Sequence, residues 1–173
     1  NIVFHEGGTT PQKQAAFIKA RKKTQGVDVV VVDYLQLMAA GQRTANRVDE
    51  VTTISRKLKR LAIQEHVPVI ALSQLNRQVE SREHHRPRLS DLRDSGSIEQ
   101  DADVVMLLHR EDFYRRSESP ETTAIDGTAE LTIAKNRRGP TGIARLVFVE
   151  EHVKFGELAL QSTSGRQADR GDG

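Results

Sequence analysis

Asp28-Val29-Val30-Val31-Val32-Asp33 is a run of β-branched residues closed at both ends by a carboxylate. Polar and apolar residues do not alternate in it. It therefore predicts a strand buried on both faces, as in a parallel sheet with helices on each side. Val69-Ile-Ala-Leu72 reads the same way, and Val104-Val-Met-Leu-Leu108 supplies a third such run. Between the first two lies Asn46 to Glu65, with Val48, Val51, Ile54, Leu58 and Leu61 at spacings of three and four. That period marks an amphipathic helix whose Arg56, Lys57, Lys59 and Arg60 face water. Val67-Pro68 breaks it. Strand, helix and strand, with apolar strands, predict an α/β fold.

Working outward, Ile2–His5 is a short β-prone run. Thr10-Pro11 opens a helix, since Thr caps and Pro suits the first turn. Lys19, Arg21, Lys22 and Lys23 cluster near its end, where cations suit the helix dipole, and Gly26 stops it. Leu75 to Asp103 is a long polar stretch between the second and third strands. Glu111 to Gly127 is a second one. Ala129–Lys135 and Ile143–Val149 alternate as strands around Arg138-Gly-Pro-Thr-Gly142, which reads as a hairpin. Ser162 to Gly173 holds only Ala168 as an apolar residue and is expected to be disordered. The division is residues 1–160 as one incomplete domain and 161–173 as a disordered tail.

At 173 residues the chain has the size of a single domain and can bury a core without disulfides. It has no cysteine, which excludes a disulfide scaffold, a thiolate zinc site and a cysteine nucleophile. Lys+Arg 26 against Asp+Glu 24 is too even to diagnose nucleic-acid binding, so the placement of charge must decide. Aromatics are only 4%, too few for a broad base-stacking platform or a membrane-interface belt. No apolar run approaches membrane-spanning length, and residues 1–20 hold no signal-peptide core. A soluble, cytoplasmic protein or piece of one is expected, with no membrane partner.

Asp33 is the strongest single candidate for chemistry. A carboxylate at the carboxyl end of a parallel strand faces the crevice where such sheets bind ligands. There it can hold Mg²⁺ through a water, or simply cap the following turn. Gln74, just past the second strand, can hydrogen-bond a γ-phosphate or water if its strand adjoins that of Asp33; otherwise it is an ordinary strand-end amide. Lys135-Asn136-Arg137-Arg138 lies in a stretch, Leu131 through Val149, without any acidic residue. Such cations seek an anion elsewhere, and phosphate suits a guanidinium fork, although a solvated basic turn has the same composition. Arg93-Asp94-Ser95-Gly96-Ser97 combines charge with residues that let main-chain N–H groups approach phosphates; a plain surface loop is the alternative. His84-His85 lacks further ligands at metal-site spacing. The P-loop pattern G-x-x-x-x-G-K-[ST] occurs nowhere.

Four stretches then coincide in order: Val29-Val-Val-Val-Asp-Tyr-Leu-Gln-Leu-Met38, Val69-Ile-Ala-Leu-Ser-Gln-Leu-Asn-Arg77, Leu89-Ser-Asp-Leu-Arg-Asp-Ser-Gly-Ser-Ile-Glu-Gln-Asp-Ala-Asp103 and Ala134-Lys-Asn-Arg-Arg-Gly-Pro-Thr-Gly142. Over residues 28–150 the chain closely resembles the C-terminal, RecA-like motor domain of the DnaB family of hexameric replicative DNA helicases. The resemblance implies a mainly parallel RecA-like sheet flanked by helices, with a C-terminal β-hairpin. It implies ATP and Mg²⁺ as cofactors, 5′→3′ translocation on single-stranded DNA, a homo-hexamer, primase and helicase-loader partners, and a cytoplasmic, nucleoid-associated location. By resemblance Asp33 is the Walker B carboxylate, and Gln74 senses the γ-phosphate and relays it to the DNA loops. Lys135 and Arg137 reach the ATP of the neighbouring subunit, Arg137 as arginine finger. Arg93, Asp94 and Gly96 hold the DNA backbone. The family's P-loop and catalytic glutamate lie upstream of the matched part. The chain by itself is therefore expected not to hydrolyse ATP, and to expose apolar surface or associate. Two other readings stay open: a non-catalytic ring-interface or DNA-binding module, and a RecA-type recombinase paralogue.

Overall fold

The computed structural model describes residues 1–5, 10–118 and 127–157, with residues 93–96 and 115–118 placed by their backbone. The predicted disordered tail lies outside the described residues. The first helix, α1 (Pro11–Thr24), starts where its capping chemistry predicts: the Thr10 hydroxyl accepts from the Lys13 N–H, and Pro11 occupies the first turn. Gly26, at φ +76°, turns the chain into β1 (Val30–Val32). A side chain would strain that left-handed backbone. After a 3₁₀ turn at Leu35–Leu37 comes α2 (Arg47–Glu65), capped by Asn46, whose side chain accepts from the Asp49 N–H at 2.9 Å. His66 ends α2 in the left-handed region, two residues before Pro68, and β2 (Val69–Ala71) follows.

β1 and β2 pair in parallel, with Val30 opposite Val69 and Val32 opposite Ala71. The α/β reading holds. The parallel pairing is confined to this pair among the described residues, because β3 (Val104–His109) belongs to a second sheet. There β3, β4 (Thr128–Asn136), β5 (Gly142–Val149) and β6 (Lys154–Glu157) follow in order, antiparallel throughout. The predicted hairpin is β4–β5. β6 was not predicted: Lys154-Phe-Gly-Glu157 is too short to show a period. Ile2–His5, predicted as a strand, forms no regular structure, since among the described residues it has no strand partner to satisfy its backbone.

The core forms where the apolar stripe of α2 meets the second sheet. Val51, Ile54 and Leu58 pack with Leu35, Met38, Leu92, Ile98, Val105 and Leu107. Burying each such side chain contributes about 1.5–3 kcal/mol. Two-sided burial of the strands, however, is not what is found. Val31 is 60% exposed and Ile70 and Leu72 are each 47% exposed, while in β3 Val104, Met106 and Leu108 stand outward and Val105, Leu107 and His109 inward. β2 and β3 each carry a free edge as well as an open face among the described elements, so the expected exposure of apolar surface is present. The polar stretch after β2 is not structureless. It winds through 3₁₀ turns at Arg77–Val79 and Glu83–His85 and a longer 3₁₀ segment, Leu89–Ser95, into helix α3 (Gly96–Asp101). Glu111–Glu118 forms α4, also unpredicted, because Phe113 and Tyr114 are its only large apolar residues.

Candidate nucleotide and DNA-facing site

Asp33 leaves β1 at its carboxyl end, and the backbone pairing continues beyond it. Leu72 N–H donates to Val32 O and Leu35 N–H to Leu72 O, both at 2.9 Å. The next rung is made by a side chain. Gln36 Oε1 accepts the Gln74 N–H at 3.2 Å, while Gln36 Nε2 donates to Gln74 O at 3.3 Å and to Ser73 Oγ at 3.1 Å. Asp33 and Gln74 thus sit at the same ends of two adjacent parallel strands, the adjacency on which the reading of Gln74 depended. Asp33 also borders an open groove between β1 and α1, shared with Tyr34, Leu37, Ile18 and Arg21. A carboxylate so placed, at a strand end and open to solvent, suits a hydrated divalent cation.

Lys135 lies on β4 of the other sheet, and Arg137 follows that strand's last residue. Lys135 Nζ donates to Glu99 O and, at 3.4 Å, to Gln100 O. Arg137 donates to Gln100 O at 3.1 Å and to Asp103 Oδ1 at 3.0 Å, and its N–H to Asp103 O at 2.8 Å. Both cations thus satisfy the carbonyls that α3 leaves open at its C-terminus. Their partners lie on α3 and the start of β3, not at Asp33. Arg137 keeps a half-exposed side chain.

The segment that resembles the DNA-contacting loop is held from behind. Arg93 and Asp94 belong to the 3₁₀ segment, and Gly96 begins α3. α3 is fastened to α2 by Ser55, which donates to Asp101 at 2.8 Å, and by the Lys59–Asp103 ion pair. Hydrogen bonding from Lys59, assisted by the charges of Lys59, Arg137 and Arg138, keeps the Asp103 carboxyl below the ordinary carboxylate range against partial burial. Two arginines of the preceding stretch are neutralised internally: Arg82 by Asp91 and Arg86 by Glu130, with Glu111 at 3.6 Å. This limits their value as phosphate ligands. Around them His85 and His109 stack on Tyr114, with ring centroids 4.3 and 5.8 Å away. Burial, more than the charge of Arg86, pushes the His109 pKa down. Among the described residues no cluster, His84-His85 included, has the ligands to hold a metal, and no helix is long and apolar enough to cross a membrane.

Sequence reasoning missed Gln36, Arg82, Asp91 and Asp101. A Gln three residues after a strand-end Asp was a usable signal; the Arg82–Asp91 pairing left none, since alternating charges are ordinary in polar loops.

The model of the DnaB-like helicase C-terminal domain family matches residues 2–157. A replicative DNA helicase DnaB of Geobacillus stearothermophilus is 46% identical over 154 residues, covering 86% of this chain and 33% of that protein. The DnaB of Leifsonia xyli is 50% identical over 138 residues, covering 80% and 29% respectively. Among solved structures, a DnaB-like replicative helicase studied with primase superposes with a TM-score of 0.79 at 39% identity, over 90% of this chain and 36% of that one. A solved ATPase domain gives the same score and identity and is covered to 54%. The chain spans about a third of the length of the curated relatives it matches.

Proposed function

The chain belongs to the DnaB-like helicase C-terminal domain family, and from that premise we propose that it is the C-terminal part of an ATP-driven motor. The motor translocates 5′→3′ on single-stranded DNA and unwinds the duplex at the replication fork. It works as a homo-hexameric ring in the cytoplasm, at the nucleoid, with primase and a loader as partners. The observation that carries this reading is the separation of two half-sites. Asp33 and Gln74 share one end of the parallel pair, while Lys135 sits near the end of a strand of a different sheet and Arg137 just past that strand's last residue.

A bound Mg²⁺ would neutralise charge on the β- and γ-phosphates. Asp33 would hold that ion, by way of a water. Gln74 hydrogen-bonds the γ-phosphate or the attacking water and exchanges partners after hydrolysis. Arg137, leaving Asp103 and Gln100, crosses to the nucleotide of the adjoining subunit, with Lys135 beside it. A finger supplied in trans speeds phosphoryl transfer by about 10³–10⁵. Arg93, Asp94 and Gly96 follow the DNA backbone by a few hydrogen bonds, main-chain N–H groups included. The 173 residues hold no P-loop pattern, so they offer no phosphate cradle of their own. We expect this polypeptide alone not to hydrolyse ATP.

Mixed rings test the reading. Asp33→Ala and Arg137→Ala are each introduced into the ring-forming helicase that contains this domain. Each ring alone should be inactive. Mixing them restores intact interfaces, and ATPase activity should reappear. Mixtures as silent as their parents would show that the two half-sites do not meet between subunits.

A further inference from the structure

The turn that carries Arg137 is built around one amide. β4 ends at Asn136 and β5 begins at Gly142, but their pairing stops at Ile133 opposite Gly142, so the exposed residues 137–141 lie beyond the ladder. Asn136 Oδ1 accepts the Arg138 N–H at 3.2 Å, and Asn136 Nδ2 donates to Pro140 O at 3.2 Å. The first bond closes an Asx turn with Arg137 as its middle residue, the side-chain oxygen standing in for a main-chain carbonyl. On its other side the Arg137 main chain is held by the residue before β3, its N–H donating to Asp103 O at 2.8 Å. Gly139 leaves room for the amide. A Cβ at that position would fall 2.7 Å from Asn136 Nδ2.

We propose that Asn136 is a positioning residue for the finger: it fixes the main chain at Arg137, so that only the guanidinium moves when it passes from Asp103 and Gln100 to the nucleotide of the adjoining subunit. The proposal rests on the helicase reading above and adds to it the residue that aims its finger. An arginine side chain is long, and a rotation of its main chain is multiplied at the guanidinium. A misplacement of about 1 Å at a reacting centre can cost about 10²-fold in rate. An exposed turn has little packing to prevent such a rotation, so its hydrogen bonds carry that task. The charge of the amide suits the task as well. Being neutral, it holds the main chain without offering Arg137 a second anion.

The test places Asn136→Ala, Asn136→Ser and Gly139→Ala in the ring-forming helicase. Asn136→Ala should lower kcat for ATP hydrolysis on the order of tenfold and leave KM for ATP within about twofold, because the finger acts in the transition state. Asn136→Ser should recover part of the rate, since a hydroxyl accepts the same N–H more weakly. Gly139→Ala should match Asn136→Ala, and the double variant should lose little more, since the added methyl displaces the same amide. Mixed rings supply the readout that mere support of the fold would not move. Asn136→Ala mixed with Asp33→Ala should exceed both parent rings in turnover, because the second subunit brings an intact finger to the intact Asp33 of the first. Mixed with Arg137→Ala it should not. Unchanged kcat, a change confined to KM, or an Asp33→Ala mixture no better than its Asn136→Ala parent would overturn the assignment while leaving the helicase reading intact. So would loss of cooperative melting in all three variants, which would make Asn136 a support of the fold. If Asp33→Ala and Arg137→Ala rings stay silent when mixed, the helicase reading and this assignment fall together.

Discussion

The two proposed half-sites are held by opposite means. At the end of the β1–β2 pair, Gln74 is fixed by backbone pairing and a neutral amide, contacts that salt hardly touches. Lys135 and Arg137, by contrast, rest on α3 carbonyls and on Asp103, a carboxylate whose side chain is 56% exposed. Half-exposed ion pairs of this kind are worth about 0–1 kcal/mol and weaken as salt rises. On the proposed reading Gln74 is a sensor that must keep its geometry, so directional contacts suit it. Arg137, proposed as a finger, would leave one anion for another, and a weak, charged resting contact would let it go.

The largest expected effect separates the two regions by activity. In the parent ring Arg137→Ala should reduce ATPase turnover by about 10³–10⁵, whereas the melting temperature of the isolated chain should barely change. A large loss of stability with turnover intact would reverse the comparison. Next comes the core that supports both. Ile54 is fully buried, and Ile54→Ala should cost about 2–5 kcal/mol in denaturant unfolding.

Acid should sharpen the contrast further. Hydrogen bonding from Arg82, ahead of the opposing effect of burial, holds the Asp91 carboxyl below the usual 3.8. A group lowered by folding contributes stability above its ordinary pKa and loses it as pH falls through the folded value. The contribution of Asp91 should therefore disappear only below about pH 4. His109 is lowered too, chiefly by burial. Its folded form resists the proton that the unfolded chain accepts, so stability should fall as pH drops from about 7 through 6.5 and below. His109→Phe should flatten that part of a pH series of unfolding curves without moving the Asp91 step. The smallest effect belongs to DNA binding: Arg93→Ala should reduce the slope of log affinity against log salt by roughly 0.7 in a single-strand titration.

Much of this was legible in the chain. Thr10-Pro11, Asn46 and Pro68 set helix boundaries because caps and breakers act within a few residues. The heptad-like spacing of Val51, Ile54, Leu58 and Leu61 named the face that forms the core. Asp33 and Gln74 could be singled out because a polar group ending an apolar run is a local signal. The burial of β1–β3 was misjudged, since how many faces a strand covers depends on which strands lie beside it. The bulge in β4 at Ala134, facing the step from Val105 to Met106 in β3, had no mark in the sequence either.

Local order alone thus determined α1 and α2, the runs of β1 to β5 and the kinds of residue able to meet phosphate. Tertiary structure decided which of them share a sheet, where Arg137 rests and what anchors Asp91. Periodicity and capping are properties of neighbouring residues. Gln36 meeting Gln74, or Arg82 closing on Asp91, depends on how separate turns are packed, and charge or hydrogen-bonding capacity along a chain does not state its partner.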